Sequence, residues 1–223
     1  RGLRKPPDRI PENRGTRHSI SDPIYDEIFQ RYAGCAGVDW RILKAVASIE
    51  SGLNPTVVNC YGFVGLFQVG PRFCDVGAEY CTTEALQDPQ INTYAAATGQ
   101  LRNGARTLRN LCPNLTDVHR YTMLLYFGHN SGNGALQGVI RGRNGVGGVG
   151  CDATDEQYRQ AGADFWENYS RERGTTPPPN AAGRMDVASR VADSAVRLGV
   201  TNPTAAGSCG ARPPLPTSGA SGS

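Results

Sequence analysis

One glutamate of the sequence occupies a position where a charged side chain is unusual. Glu50 follows Val46 by four residues and Ala47 by three, so a helix through this stretch places its carboxyl group on the apolar face. Burial disfavours the ionised carboxylate and raises its pKa, which suits a group that donates a proton near neutral pH. Glu50 is therefore a candidate general acid. The alternative, which the spacing alone favours, is a helix-terminal glutamate that reaches solvent or binds a backbone amide.

Cysteine and histidine, the other residue types that carry chemistry, show no metal-binding pattern. The seven cysteines include no Cys-x-x-Cys pair, and the three histidines lack ligand spacing, which excludes a zinc ribbon or a thioredoxin-like redox site. The sequence leaves two alternatives for the cysteines, which are disulfides in an oxidising compartment or reduced, buried thiols. Cys74 and Cys81 are close enough in sequence to staple a loop, but the spacing does not set the connectivity.

The elements that must position Glu50 are predicted to be helices. Ser21-Asp22-Pro23 is typical of a helix start, and a second helix is expected to begin near Asp39 and to end at Gly52. Little two-residue alternation is present, so the fold is predicted to be mainly α. Further helices are expected over 91–110, 117–127, 154–171 and 184–199.

Charge and composition divide the chain into three parts. Residues 1–20 hold six basic and two acidic residues, a net charge of +4 in a chain whose total is +3, so we expect a basic, flexible arm. The composition alone favours a plain solvated terminus, and the alternative is attraction to an anionic cell wall, a nucleic acid or an acidic neighbouring subunit. Residues 21–200 are expected to form the domain and 201–223 a low-complexity tail. No stretch approaches the roughly 20 apolar residues of a membrane span. The chain begins at Arg1, so we expect a processed or excised piece.

Four ordered blocks of the sequence resemble the Slt-type lytic transglycosylase family. AVASIESGLNP at 45–55 resembles its helix-end motif of glutamate, serine and Asn-Pro, and YGFVGLFQVGP at 61–71 resembles its Gly-Leu-Met-Gln signature. LQDPQINTYAAATGQL at 86–101 resembles its Asp-Pro, Asn and helix pattern. HNSGNGAL at 129–136 resembles its Tyr-Asn-Ala-Gly-Pro-Gly turn. The resemblance extends over residues 22–135, with a closing helix expected near the end of the domain.

The resemblance implies a lysozyme-like helical domain with a groove that binds peptidoglycan strands, and Glu50 as the catalytic residue. Gln68 and Asn130 suit sugar acetamides and hydroxyls because each amide both donates and accepts. Ser51 and Asn92 can instead bond only to backbone near a helix end. The substrate-binding residues implied are Ser51, Gln68, Asn92, Tyr126, His129 and Asn130.

A single carboxyl group implies a particular reaction, since most glycosidases use two. Glu50 protonates the oxygen that leaves C1 of N-acetylmuramic acid and then accepts the C6 hydroxyl proton, so that a 1,6-anhydro sugar forms. Proton transfer and positioning supply this chemistry, so neither a metal nor an organic cofactor is expected. The loop RGRNGVGGVG at 141–150 lacks Gly-Lys-Ser/Thr, which gives nucleotide binding little weight.

The sequence departs from the family pattern at several positions. Phe67 replaces methionine, and His129 stands where the family has a sugar-contacting tyrosine, for which Tyr126 compensates from one turn earlier. The family often has another glutamate near the start of its last helix, where AAGRMDV offers only Asp186. Substrate contacts on that side are therefore open.

Two alternatives follow from the same residues. A goose-type lysozyme relative would hydrolyse the bond with water and would need a second acid facing the groove, for which the candidates are Asp75, Glu79, Glu84 and Asp88. A noncatalytic wall-binding or structural component would keep the fold without turnover.

We expect an extracytoplasmic location, in the periplasm or cell wall, and peptidoglycan as the partner. Nucleic acid is not expected. The basic arm and the tail also fit attachment to a larger envelope-penetrating assembly such as a virion or a secretion machine.

Overall fold

The computed structural model describes residues 15–143 and 147–216, and in these ranges it contains eight α-helices. Two short 3₁₀ turns, Pro71–Phe73 and Ala85–Gln87, lie between the second and third helices, and isolated β-bridges are the only strand-like pairings among these residues. The prediction of a mainly α fold is confirmed. The helices are α1 (Asp26–Ala36), α2 (Trp40–Ser51), α3 (Pro89–Thr98), α4 (Gln100–Leu111), α5 (Val118–Ser131), α6 (Asn133–Arg141), α7 (Asp155–Glu172) and α8 (Arg184–Arg197).

Helix α2 begins and ends where its sequence signals predict. The Asp39 side chain accepts a hydrogen bond from the Arg41 N–H at the first turn, and Gly52 ends the helix in the left-handed conformation at φ 63°. A carboxylate cap satisfies a backbone donor that has no partner within the helix, and glycine adopts positive φ without steric strain.

Other helices differ from the prediction. The start expected at Ser21-Asp22-Pro23 forms turns instead, in which the Ile24 N–H donates to the Asp22 carboxylate, and α1 begins at Asp26. The helix expected over 91–110 is two helices, α3 and α4, which change direction at Gly99 (φ −98°, ψ −111°). That ψ lies outside the helical range, so one continuous helix cannot form there.

Helix α6 was not predicted, because its glycines weaken the helical signal. A Cβ on Gly138 would come within 2.6 Å of the Phe165 ring on α7, so the glycine allows α6 and α7 to pack closely. Tertiary packing therefore overrides the low helix propensity of this segment.

The core is built around α5. Its residues 121–128 are all buried, and α5 packs most extensively against α8, then against α4 and α6. Helix α2 packs against α1 and α8. The C-terminal part of α5 and the end of α2, which carry the candidate site residues, are thus held by the largest apolar cluster of the domain.

The described part of the tail, 201–216, packs against the domain, which its low-complexity composition did not indicate. A disulfide joins Cys209 to Cys35 on α1, the Gly210 N–H donates to the Arg31 carbonyl, and the Tyr80 hydroxyl donates to the Pro213 carbonyl at 3.0 Å. Two more disulfides join Cys74 to Cys81 and Cys112 to Cys151, and Cys60 is free. Residues 201–216 are therefore attached to the domain covalently and by hydrogen bonds.

The basic arm falls largely outside the described residues, so its expected flexibility and charge effects stay predictions. Its last residues contact the domain: the His18 N–H donates to the Gly52 carbonyl at 2.8 Å, and the Arg17 side chain packs against Gly52. Residues 17 and 18 therefore belong with the domain rather than with a free arm. Of the helices in the described ranges, none is long and apolar enough to cross a bilayer.

Candidate active site

Helix α2 carries Glu50 near its C-terminal end, on the face that the spacing predicted. Val46 and Ala47 on the same face are fully buried, and the Glu50 side chain is 14% exposed. Burial raises the pKa of Glu50 from 4.5 to about 7, because the ionised form loses its hydration. The carboxyl group is thus about half protonated at neutral pH, in the range that suits a general acid.

The Tyr126 hydroxyl on α5 interacts with Glu50, and this interaction lowers the pKa of Glu50 against the larger effect of burial. Tyr126 itself is 2% exposed, and burial raises its pKa well above the ordinary value. Tyr126 therefore stays protonated and donates to the Glu50 carboxylate. The exposed Asn130 interacts with Tyr126 in turn and lowers its pKa, so polar residues extend from the surface inward to Glu50.

His129 lies beside Glu50 without forming an ion pair with it. Its Nε2 atom is 3.9 Å from a Glu50 carboxyl oxygen, but burial lowers the pKa of His129 to about 4, so the imidazole is neutral at neutral pH. The same Nε2 lies 3.1 Å from the Phe67 carbonyl oxygen, which can only accept, so Nε2 carries the ring proton. Because the ring is neutral, it does not promote the ionisation of Glu50, whereas an imidazolium at this position would.

The loop of residues 64–69 closes over the end of α2 and is held by side chains from three helices. Ser51 on α2 donates its hydroxyl to the Leu66 carbonyl at 3.0 Å, and His129 on α5 donates to the Phe67 carbonyl. Asn92 on α3 accepts from the Phe67 N–H at 2.9 Å. These bonds fix the loop that carries Gln68 relative to Glu50.

Two of the expected substrate-binding residues have side chains that are bonded to backbone groups within the domain. Asn92 is 0% exposed, and its amide nitrogen donates to the carbonyls of Val64 and Leu86. Ser51 is 6% exposed, and its hydroxyl is bonded to the carbonyls of Ala47 and Leu66. Bonds of this kind favour a role for both residues in positioning the loop. Contact of either residue with substrate stays a prediction.

Gln68 and Asn130 differ in what they offer a substrate. The Gln68 amide nitrogen donates to the Gly65 carbonyl at 3.0 Å and to the Val57 carbonyl at 3.3 Å, so its amide oxygen is the group left for a ligand. Gln68 has φ +50°, a conformation uncommon for a residue other than glycine and often found at functional sites. Asn130 is exposed beside Tyr126. Contact of either with substrate stays a prediction, as does a groove over Glu50.

Arg184, at the start of α8, was not singled out by sequence reasoning. Its guanidinium lies near the Asn130 carbonyl, and its positive charge lowers the pKa of Tyr126. Asp186, which the sequence offered instead, is paired with Arg159 on α7. The basic residue of this segment therefore faces the site and the acidic residue does not, because residues two positions apart on a helix lie on nearly opposite faces.

The acids that a hydrolase could use do not interact with Glu50. Only burial and the Tyr126 contact shift the pKa of Glu50. Asp88 caps α3 by accepting from two backbone N–H groups, Glu79 is paired with Arg212, and Asp75 and Glu84 are exposed.

Two surface depressions, lined by residues within 71–81 and by residues around the start of α8, do not include Glu50. Within the described residues, no three His, Cys, Asp or Glu side chains form a group suited to a metal ion.

Fold and site together define a helical domain in which the largely buried carboxyl group of Glu50 lies beside a tyrosine hydroxyl. The chain belongs to the transglycosylase SLT domain family, whose model matches residues 27–147. It is 29% identical over 119 residues to the endo-type membrane-bound lytic murein transglycosylase A of Klebsiella pneumoniae subsp. pneumoniae, a match that covers 39% of this chain and 59% of that protein.

Two solved structures are similar to the domain. The 70 kDa soluble lytic transglycosylase SLT70 of Escherichia coli matches with a TM-score of 0.52 and 16% identity, covering 83% of this chain and 26% of that one. Lytic transglycosylase Slt of Pseudomonas aeruginosa matches with a TM-score of 0.48 and 13% identity, covering 82% and 25%. The likeness to the first confirms the lysozyme-like helical fold. The chain spans about a quarter of these two structures and 59% of the Klebsiella relative.

Proposed function

We propose that this chain is a peptidoglycan lytic transglycosylase that cleaves the β-1,4 bond between N-acetylmuramic acid and N-acetylglucosamine. The observation that carries the proposal is Glu50, a buried carboxyl group with a pKa of about 7 at the end of α2. Membership of the transglycosylase SLT domain family supports it, as do the names of the relatives, each a lytic transglycosylase.

In the first step, protonated Glu50 donates its proton to the glycosidic oxygen as the bond from that oxygen to C1 of muramic acid breaks. The N-acetyl oxygen of the same sugar stabilises the positive charge that develops at C1. Glu50 is left as a carboxylate, and the Tyr126 hydroxyl, which donates to it, stabilises that charge. The bond becomes stronger as the carboxylate ionises, so it favours the transition state over the ground state.

In the second step, the Glu50 carboxylate accepts the proton of the C6 hydroxyl while O6 forms a bond to C1. The product is a 1,6-anhydro sugar, Glu50 is protonated again, and no water is consumed. The C6 hydroxyl is held near C1 by the sugar itself, so proximity replaces an external nucleophile. One carboxyl group is therefore sufficient for both proton transfers.

Hydrolysis by a goose-type lysozyme mechanism is the alternative for the same groove. It requires a second acid to activate water, and the four candidates lie exposed, paired or used as a helix cap. The surroundings of Glu50 therefore favour the internal nucleophile. A noncatalytic component has no evident use for a carboxyl group whose pKa is raised to about 7.

We infer that the protein acts outside the cytoplasm, on peptidoglycan of the periplasm or cell wall. Three disulfides among the described residues fit an oxidising compartment. Attachment to a virion or a secretion machine rests on the basic arm and is a separate proposal.

Replacing Glu50 by glutamine tests the assignment directly. Glutamine keeps the size of the side chain and can accept a hydrogen bond from Tyr126, but it transfers no proton. We therefore expect E50Q to fold and to cleave peptidoglycan more slowly by about 10²–10⁴-fold or more, since about 10²–10⁴-fold is usual for the loss of one general acid or base. Release of soluble fragments from purified walls measures the rate. The matched control is E172Q, an exposed glutamate at the end of α7, which should cleave like the parent. Full activity of E50Q would remove Glu50 from catalysis.

A further inference from the structure

Arg184 is a charged residue beside the site that the reaction described above does not use. It is half-buried at the first turn of α8, and its Nη1 atom donates to the Asn130 carbonyl at 3.3 Å and to the Ser131 hydroxyl at 3.4 Å. Its guanidinium carbon lies 5.0 Å from the centre of the Trp166 ring. Both hydrogen bonds are at the long end of the normal range and use one of its three nitrogens.

No carboxylate neutralises Arg184 among the residues that the structure describes. Two acids at the starts of α7 and α8, Glu156 and Asp186, pair with Arg159 instead. Burial lowers the pKa of Arg184, and no carboxylate is among the groups that shift it. The domain therefore holds a partly desolvated cation whose Nε and Nη2 atoms have no acceptor in the described ranges.

Its position is not explained by helix stability. A positive charge in the first turn faces the positive end of the helix dipole, which disfavours it. The planar guanidinium is instead held in place from two sides, by the Trp166 ring and by the end of α5. An ordered guanidinium with free donors is the group that binds carboxylates through two parallel hydrogen bonds.

The Arg184 guanidinium is connected to Glu50 through two intervening residues, Asn130 and Tyr126. It bonds to the backbone of Asn130, whose side chain interacts with Tyr126, and Tyr126 contacts Glu50. A glycan strand placed over Glu50 and Asn130 thus lies within reach of Arg184. Of the two sugars in such a strand, muramic acid is the one that carries acid groups, either its own lactyl carboxylate or those of the attached peptide.

We propose that Arg184 binds a carboxylate of the muramic acid unit, so that the site selects acidic glycan strands over neutral ones. This inference rests on the proposed function, because it takes peptidoglycan as the substrate. The lactyl group and the peptide stem are two sources of the same chemistry, and they differ in a useful way. The lactyl carboxylate is free in strands without peptides and is consumed in an amide bond where a peptide is attached.

Binding to three ligands by calorimetry tests the proposal, in full chains that carry E50Q so that no ligand is cleaved. The ligands are neutral N-acetylglucosamine oligomers, glycan strands stripped of peptides, and strands that keep their peptides. Adding R184Q should raise the Kd for acidic strands about ten-fold, the usual scale for losing a charged hydrogen-bond pair, and change the Kd for the neutral oligomer less than about two-fold. An effect on stripped strands assigns the lactyl carboxylate, and an effect on peptide-bearing strands assigns the stem.

Two further variants separate recognition from general effects. R190Q removes the same charge from an exposed position on α8 and should leave all three Kd values unchanged, whereas R184K keeps the charge without the planar fork and should lose part of the affinity. Equal weakening for neutral and acidic ligands, no weakening at all, or an R190Q effect as large as that of R184Q would each overturn the proposal.

The proposed function is tested separately with the parent chain on the same strands. If the parent chain cleaves these strands but R184Q does not weaken the binding of acidic strands more than that of the neutral oligomer, only the Arg184 assignment fails. If the parent does not cleave peptidoglycan under any condition, the proposed function fails and the carboxylate assignment fails with it.

Discussion

At the scale of single residues, the protonation of Glu50 results from neighbours with opposite effects. Burial raises its pKa to about 7, the Tyr126 hydroxyl pulls that pKa down by stabilising the carboxylate, and His129 exerts no charge because burial keeps it neutral. Since the first step needs the protonated acid, activity is expected to fall as pH rises through about 7, where Glu50 loses its proton.

Replacing Tyr126 by phenylalanine should move this limit to higher pH. The variant loses the hydrogen bond that lowers the pKa of Glu50, so the acid keeps its proton longer and the falling limb of kcat/KM against pH shifts in the alkaline direction. The maximal rate should drop, because the carboxylate formed in the first step is less stabilised. Y61F, at an exposed tyrosine, is the control. A limb that stays in place or moves to lower pH would show that Tyr126 does not act on Glu50.

At the scale of elements, the 64–69 loop depends on residues that lie far from it in sequence. Ser51, Asn92 and His129 belong to three different helices, and together they bond the backbone of Val64, Leu66 and Phe67. The loop therefore acts as a rigid part of the site, because its polar backbone groups are satisfied by buried side chains.

Removing the Asn92 amide should release the loop. N92A leaves the buried Phe67 N–H and Leu86 carbonyl without the Asn92 partner and leaves the Val64 carbonyl with only its Val69 N–H bond, and we expect the free energy of unfolding to fall by about 2–4 kcal/mol. Urea unfolding measures the change, with N103A at an exposed position of α4 as the control. A loss under about 0.5 kcal/mol, the usual range for a surface substitution, would argue against a structural role for this amide.

Sequence signals predict an element well where its determinants are local. Asp39 and Gly52 lie at the two ends of α2, so the bounds of the helix and the face carrying Glu50 follow from the spacing. The roles of Asn92 and Ser51 depend on bonds to residues 25 and 15 positions away, which no local pattern encodes. The sequence did not predict Arg184 as a site residue for the same reason, because its position beside Asn130 depends on the packing of α8 against α5.

At the scale of the whole molecule, one disulfide connects the tail to the domain. The Cys35–Cys209 bond spans 174 residues and ties the tail to α1, whereas the Cys74–Cys81 bond spans seven. Sequence reasoning could suggest the short bridge but not the long one, because the tail composition gives no sign that it packs. A crosslink restricts the unfolded chain more when it closes a longer loop.

The two bridges should therefore differ in their effect on stability. By the chain-entropy relation, C35S/C209S loses at most about 5 kcal/mol of unfolding free energy and C74S/C81S at most about 2. Denaturant unfolding of both double variants gives the comparison, and limited proteolysis should cut residues 201–216 first in the variant without the long bridge. If the short bridge matters as much as the long one, tail attachment does not contribute to stability in this way.

The mass of the cleavage product is the most direct test of the proposed function. Purified peptidoglycan is digested with the parent chain and with E50Q, and the released muropeptides are analysed by mass spectrometry before and after borohydride reduction. The parent should release terminal muramic acid that carries the anhydro bridge, lighter by one water than a hydrolysis product and unchanged by borohydride, while E50Q releases almost none. Reducing ends from the parent would instead show that water is the nucleophile and contradict the single-carboxyl mechanism.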